Sequence, residues 1–210
     1  MSRWQWQLES YLKNLANKPL SFLPGPKFAA TALVFSADLE QLLITKRSLT
    51  LTTHPGEYAL PGGLSEPGET IPQTALRELQ EETGIDSNQV SSIQPFFQSR
   101  TPYGMQVITC IARLRPGQVT LELDPAEVDS AYWLQSDFFL QAKNCRIEKW
   151  SHKNIERTVY FWLYEEHEIW GVTGEIIAGL YAKVTGKKVD EQISFSSSRQ
   201  QQFWKNKREV

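Results

Sequence analysis

The sequence is poor in cysteine and contains no long apolar run. Its two cysteines, Cys110 and Cys145, are far apart and form no CxxC pair. A disulfide framework or a structural zinc site is therefore not expected. We expect two ordinary thiols in a reducing compartment. No stretch approaches the roughly eighteen apolar residues of a membrane-spanning helix. Residues 1–18 lack the pattern of a secretory signal and residues 208–210 are not a peroxisomal address, so we expect a cytoplasmic protein.

An excess of charge of either sign is also missing. The chain carries 22 basic residues against 24 acidic ones, which gives a formal net charge of −2. Proteins that coat nucleic acids or membrane surfaces normally have a basic excess, so neither partner is expected. What the chain does have is a hydrophobic fraction of 40% over 210 residues. That composition can bury the core of one domain and excludes wholesale disorder.

Hydrophobic periodicity divides the chain into strands and helices. Apolar spacings of three and four predict helices over residues 3–16, 70–83 and 171–184. Short apolar runs between turn residues predict strands over residues 28–36, 41–46, 90–100, 105–114, 131–134 and 158–163. This mixture favours an α/β sandwich with a mixed sheet. We expect an N-terminal helix and connector (1–27), a main domain (28–188) and a polar tail (189–210).

The helix predicted after the glycine-rich stretch has clear start and stop signals. Thr70 followed by Gln73 is a capping-box pattern, and Pro72 falls in the first turn, where its missing N–H costs nothing. Gly84 is placed to end the helix in the left-handed conformation. The apolar positions then form one core-facing sector, which comprises Ile71, Ala75, Leu76 and Leu79.

Three carboxylates crowd an adjoining sector of the same helix. Glu78, Glu81 and Glu82 lie at spacings of three and four, and like charges so placed destabilise a helix by roughly 0.2–0.5 kcal/mol per pair. Acids near a helix C-terminus also oppose the macrodipole. A bound Mg²⁺ or Mn²⁺ would compensate, since hard divalent ions take carboxylate oxygens. A solvated acidic face is the other interpretation of the same pattern.

Residues 63–85, GLSEPGETIPQTALRELQEETGI, carry a longer pattern. The segment resembles the Nudix signature, G-x5-E-x7-R-E-U-x-E-E-x-G-U with U aliphatic, and every defined position matches. The resemblance implies an α/β/α sandwich with a mixed sheet and a loop–helix–loop catalytic motif. It also implies a hydrolase of phosphoanhydrides that uses Mg²⁺ or Mn²⁺. The positions of the motif would make Glu78, Glu81 and Glu82 metal ligands, with the Gly63 carbonyl as a possible extra one.

The same resemblance gives roles to the remaining motif residues. Arg77 and Glu69 would hold each other and brace the loop against the helix, which suits carboxylates that otherwise repel. Glu127 stands where Nudix enzymes often place a further carboxylate on a mobile loop, and it would join the metal site, act as base or be a plain loop acid. Either a metal-bound hydroxide or one of the glutamates would complete the attack on the substrate.

A second resemblance lies upstream, in residues 42–63, LLITKRSLTLTTHPGEYALPGG. This run is similar to the extra motif of the coenzyme A diphosphatase branch of the Nudix family, roughly LLTxRSxxLRxHxGEVxFPGG. Residues 169–173, IWGVT, resemble the helix start that closes the domain in that branch. The chain departs from the pattern at Thr52, where the branch has arginine, and at Leu60, where it has phenylalanine. The Asp-rich stretch usual inside that branch's Nudix box is replaced by residues 66–70.

Three residues are candidates for holding the substrate. Arg47 is the best placed, because a guanidinium can hold phosphate oxygens in a bidentate manner. His54 is either a phosphate donor or a brace of its loop. Arg100, at the end of a predicted strand, either reaches a pocket or is solvated.

The two resemblances together imply the reaction. We expect hydrolysis of coenzyme A or acyl-coenzyme A to 4′-phosphopantetheine, or its acyl form, and adenosine 3′,5′-bisphosphate. The alternatives are hydrolysis of ADP-ribose, NADH or a dinucleotide, and an inactive Nudix domain that senses a ligand. The expected partner is a small diphosphate compound, and the chain is a possible homodimer.

Overall fold

The computed structural model describes residues 2–101, 103–152 and 155–189. Its helices are α1 (Arg3–Asn17), α2 (Ile71–Thr83) and α3 (Gly171–Thr185). Its strands are β1 (Ala29–Phe35), β2 (Gln41–Arg47), β3 (Tyr58–Ala59), β4 (Gly62–Leu64), β5 (Val90–Arg100), β6 (Gln106–Leu114), β7 (Val128–Gln135), β8 (Cys145–His152), β9 (Ile155–Tyr164) and β10 (His167–Ile169). The three predicted helices and six predicted strands are all present. Residues 190–210 of the predicted polar tail lie outside the described residues.

The main sheet is mixed, as the sequence predicts. Seven strands take part, in the order β3-β2-β1-β6-β5, with β4 paired to β1 and β7 paired to β2. The pair β1–β6 is parallel, and every other pair in this sheet is antiparallel. Strands β8, β9 and β10 form a second, antiparallel sheet. Of this sheet, the sequence indicated only part of β9.

Helices cover both faces of the main sheet, which confirms the α/β/α sandwich. Successive side chains of a strand point to opposite faces, so β1 contributes to two cores. Ala30 and Val34 pack in the core beneath α2, whereas Leu33 and Phe35 pack in the core shared with α1 and α3. Strand β1 is buried on both sides, as a strand parallel to its neighbour usually is. None of the described helices is long and apolar enough to cross a membrane.

Both cysteines are buried thiols, and we expect neither to react while the protein is folded. Burial raises the pKa of Cys110 and of Cys145 to about 12, so almost no thiolate is present at pH 8. An aromatic disulfide reagent at pH 8 should therefore titrate no thiol in the native protein and both thiols in guanidinium chloride. Rapid reaction of either cysteine without denaturant would contradict this burial.

Candidate active site

Local hydrogen bonds fix both ends of helix α2. The Gln73 side chain accepts from the backbone N–H of Thr70 at 2.9 Å and from its hydroxyl at 2.7 Å. At the other end Gly84 adopts φ 74°, and its N–H donates to the Gln80 carbonyl at 2.8 Å. The helix therefore begins after Thr70 and ends before Gly84, as the sequence predicts. Its rotation about its own axis is set by Ala75 and Leu79, which are fully buried.

This rotation aims two of the helix glutamates at the short strand β4. Glu78 and Glu82 are 9% and 4% exposed. The backbone N–H of Gly62 donates to Glu82 Oε1 at 3.4 Å. Gly63 lies so close to Glu78 that a Cβ built on it would stand 2.5 Å from both carboxylate oxygens. Helix and strand thus meet through carboxylates, and a larger residue at position 63 would displace the Glu78 carboxylate.

Glu127 joins these two side chains from a distant part of the chain. It immediately precedes β7, and its carbonyl accepts from the Ser48 N–H at 2.8 Å, just after β2 ends. The loop before it is tied to α2 because the Asp124 N–H donates to the Glu82 carbonyl at 3.3 Å. Glu78, Glu82 and Glu127 each offer a carboxylate oxygen within 4.8 Å of the others. We call these three residues the carboxylate cluster.

The cluster is electrostatically unfavourable without a cation. Burial, reinforced by the charges of Glu127 and Glu78, raises the pKa of Glu82 to about 8. The Gly62 N–H and the charge of Arg47 oppose this rise only in part. Burial likewise raises the pKa of Glu78. Carboxylates this close together, two of them with raised pKa values, are unfavourable as free anions. A hard divalent cation such as Mg²⁺ or Mn²⁺ would stabilise their charged forms, because such ions bind carboxylate oxygens.

Arg77 binds the helix to the loop, as expected for a bracing residue. It donates from Nε to Glu69 Oε1 at 2.8 Å and from Nη2 to the Leu64 carbonyl at 2.9 Å. Its Nη1 donates to Glu78 Oε1 and to Glu81 Oε2, both at 2.8 Å. The Glu81 side chain is 58% exposed and is held by Arg77, so it lies outside the carboxylate cluster. Metal ligation by Glu81 stays a prediction.

The Glu69–Arg77 pair should make stability depend on pH at the acid end. The guanidinium of Arg77 lowers the pKa of Glu69 from 4.5 to about 2. An acid whose pKa is lowered on folding stabilises the protein fully above its unfolded pKa and loses that contribution as the pH falls through its folded pKa. The stability advantage of the unaltered protein over Glu69→Gln should therefore be largest at pH 6 and shrink between about pH 4.5 and pH 2. Urea unfolding of both proteins at pH 6 and pH 3.5 measures this, and an advantage that stays constant would contradict the pairing.

A cavity of about 530 Å³ opens in front of the carboxylate cluster. Glu78, Glu81, Glu127 and Gly63 line it, with Glu82 buried behind, and we call it the carboxylate cavity. Arg47, at the end of β2, lines it too. Its Nε is buried and has no hydrogen-bond partner among the described residues. A buried guanidinium nitrogen of this kind is available to an anionic ligand.

The other residues of the predicted substrate site lie elsewhere. His54 Nδ1 is 2.8 Å from Glu57 Oε2 in the loop after β2, which is the geometry of a loop brace. Arg100 lines a different cavity next to the carboxylate cavity. The sequence did not indicate Lys27, which lines both cavities. Lys27 stands in the connector before β1, and only the pairing of β1 with β4 and β6 brings it here.

Comparison with known proteins agrees with this geometry. The NUDIX domain family matches residues 25–163. The uncharacterized Nudix hydrolase NudL of Photorhabdus laumondii is 34% identical over 144 residues, which are 68% of this chain and 76% of that protein. The peroxisomal coenzyme A diphosphatase ndx-8 of Caenorhabditis elegans is 35% identical over 106 residues, 48% of this chain and 44% of that protein.

The matches differ in how much of each protein they cover. Two Nudix hydrolases of Arabidopsis thaliana are each longer than this chain, which spans 55% and 60% of their lengths. The crystal structure of DR0079 from Deinococcus radiodurans is 19% identical, with a TM-score of 0.48 over 75% of this chain and 87% of that one. The family match covers more than half of the 210 residues and includes the whole carboxylate cluster. This chain therefore belongs to the Nudix hydrolase family.

Proposed function

We propose that the protein hydrolyses the diphosphate of coenzyme A or acyl-coenzyme A with the aid of Mg²⁺ or Mn²⁺. The observation that carries the proposal is the carboxylate cavity, where Glu78 and Glu127 of the carboxylate cluster and Arg47 line one space, with Glu82 buried behind it. A metal site beside the Arg47 guanidinium suits a diphosphate, because a diphosphate needs its charge neutralised and its position fixed. The coenzyme A part of the proposal is supported by the motif in residues 42–63 and by the coenzyme A diphosphatase among the relatives.

Nudix hydrolases generally need divalent metal ions, and the donors here fit one. Glu78, Glu82 and Glu127 would hold it, with the Gly63 carbonyl and Glu81 as further candidate ligands. When bound, such an ion neutralises phosphate oxygens and makes water a better nucleophile. Arg77 keeps Glu78 in place through the hydrogen bond from Nη1.

The chain's own residues supply binding and proton transfer. Arg47 holds nonbridging oxygens of the diphosphate and so fixes the phosphorus that is attacked. The oxygen of water bonds to this phosphorus, the bridging P–O bond breaks, and a carboxylate at the cavity takes the proton of the water. Glu127 is suited to that task because it is exposed at the cavity and lies on a loop rather than on a helix.

A substrate panel tests the proposal. The purified protein is incubated with Mg²⁺ or Mn²⁺ and with coenzyme A, dephospho-coenzyme A, ADP-ribose or NADH, and the products are identified by mass. We expect 4′-phosphopantetheine and adenosine 3′,5′-bisphosphate from coenzyme A. Intact coenzyme A beside cleaved ADP-ribose or NADH would overturn the substrate assignment. Tight binding of one compound with no turnover of any would point to a sensing domain instead.

A further inference from the structure

A second cavity of about 630 Å³ lies beside the carboxylate cavity. It is lined by the end of β5, the start of β6 and the connector before β1. Arg100 pairs with Gln106 across β5 and β6, and Ala29 pairs with Val107 across β1 and β6, so the three strands bring these segments to one edge of the sheet. We call it the basic cavity, because its charged lining residues are Lys27 and Arg100.

The basic cavity differs from its neighbour in charge. The carboxylate cavity has glutamates beside its cations, whereas no aspartate or glutamate of the described chain lines the basic cavity. Lys27 has no hydrogen bond or ion pair from its side chain within the described ranges. Arg100 makes one weak contact, from Nη1 to the Gly104 carbonyl at 3.3 Å. Both cations therefore keep donors for an anion.

The backbone around Lys27 is held in place on both sides. Upstream, the Gln106 side chain accepts from the Gly25 N–H at 3.1 Å and donates to the Leu23 carbonyl at 3.5 Å. Downstream, Phe28 exchanges hydrogen bonds with Ser65, from N–H to Oγ at 3.3 Å and from the Ser65 N–H to the Phe28 carbonyl at 2.8 Å. The connector thus fixes Lys27 between the two cavities, unlike a lysine on a free loop.

From this placement we infer that Lys27 and Arg100 bind a phosphate monoester carried by the same molecule whose diphosphate lies in the carboxylate cavity. The inference rests on the proposed function. A phosphate monoester carries nearly two negative charges at neutral pH and offers three acceptor oxygens, which suits an ammonium and a guanidinium at a site without acids. Because Lys27 lines both cavities, one ligand can reach from the first to the second.

The exposed side chains at the rim suit the organic part of such a ligand. Leu23 is 91% exposed and Tyr103 is 68% exposed, and both line the basic cavity. Large apolar side chains left in water beside a polar cavity are typical of a ligand surface. The basic cavity is therefore a specificity site that would distinguish a substrate with an additional phosphate from one without it.

Kinetics of two variants on a matched pair of substrates test this inference. Lys27→Gln and Arg100→Gln should each raise KM for coenzyme A about tenfold with little change in kcat. A rise of this size is expected because each variant loses one charge-assisted hydrogen bond to the phosphate. KM for dephospho-coenzyme A, which lacks the phosphate monoester, should not change with Arg100→Gln, because Arg100 lines the basic cavity only. The controls Lys187→Gln and Arg3→Gln remove exposed charges elsewhere and should leave both substrates unaffected.

The outcomes separate this inference from the proposed function. In Arg100→Gln, an equal rise in KM for both substrates, or no rise for either, would overturn the phosphate monoester site while leaving the hydrolase proposal in place. If the unaltered protein cleaves neither compound, the proposed function fails, and calorimetry with adenosine 3′,5′-bisphosphate and AMP decides the binding site by itself. The site is supported if the unaltered protein binds adenosine 3′,5′-bisphosphate more tightly than AMP and Arg100→Gln abolishes this difference. Equal binding of the two nucleotides by the unaltered protein overturns it.

Discussion

Glu82→Gln should lower kcat roughly a thousandfold or more and leave the protein folded. Glu82 is the most buried member of the carboxylate cluster, at 4% exposed, and it belongs to the group whose oxygens converge within 4.8 Å. The amide has nearly the shape of the carboxylate and keeps an oxygen that can accept the Gly62 N–H, so the contact with β4 survives. The change removes a full negative charge from the cation site, and a loss of about 4 kcal/mol of transition-state stabilisation corresponds to a thousandfold.

Glu81→Gln is the matched comparison, because it makes the same chemical change one residue earlier on the same helix. The Glu81 side chain is 58% exposed, and its carboxylate accepts a hydrogen bond from Arg77 Nη1 and lies outside the cluster. Its effect on kcat should therefore be at least tenfold smaller than that of Glu82→Gln. Rates at saturating Mn²⁺, with circular dichroism and thermal unfolding to confirm the fold, measure both variants. Near-normal activity of Glu82→Gln would show that the cluster is not the cation site.

The parts of the site that the sequence predicts are those fixed by local structure. The ends of α2 follow from Thr70, Gln73 and Gly84, whose hydrogen bonds reach no further than four residues along the chain. The spacing of Glu78 and Glu82 on the helix follows from the same local geometry. The bracing by Arg77 follows from the Nudix motif, whereas the burial of Glu78 and Glu82 was left open by the sequence, which also allowed a solvated acidic face.

The remaining parts depend on contacts between distant segments. Glu127 reaches the cluster because β7 pairs with β2, which sets Val128 opposite Arg47. Lys27 reaches both cavities because β1 pairs with β4 on one side and β6 on the other. The segment between α1 and β1, residues 18–28, carries three prolines, one glycine and two lysines, and nothing in that composition indicates a ligand site. A position of this kind is visible only once the strand order is known.

The second sheet was missed for a different reason. In β8 the buried side chains include Glu148, which is 1% exposed and accepts from Trp150 Nε1 at 2.8 Å and from Arg146 Nε at 3.0 Å. These three side chains lie on one face of β8 and bind each other, and Ile147 is buried on the opposite face, so the strand has buried residues on both faces. An alternation of buried apolar and exposed polar residues is the usual signal of a strand, and a buried glutamate such as Glu148 does not fit it.

Gly63→Ala should lower kcat roughly a hundredfold with little loss of stability, whereas Gly62→Ala should destabilise the fold. At position 63 the new Cβ would stand 2.5 Å from both Glu78 carboxylate oxygens, and the end of a glutamate side chain can turn away. The fold is then kept but Glu78 leaves the cluster, and displacements of about 1 Å at a reacting centre can cost a hundredfold in rate. At position 62 the Cβ would stand 2.5 Å from the Ala30 carbonyl oxygen and 2.6 Å from the Thr31 Cα, and neither backbone atom can turn away.

The two variants add the same methyl group at adjacent residues, so each is the control for the other. Gly62→Ala should lower the free energy of unfolding by about 3 kcal/mol, the upper part of the range for overpacking, because β4 must separate from β1. Gly63→Ala should lower it by less than about 1 kcal/mol, since only a side chain moves. Urea unfolding measures the free energy of unfolding of both variants. Mn²⁺ titration and kcat measure the loss of cation binding and of activity in Gly63→Ala. Full activity and full Mn²⁺ affinity in Gly63→Ala would mean that the position of Glu78 does not matter to the cation, because this substitution forces that carboxylate from its place beside β4.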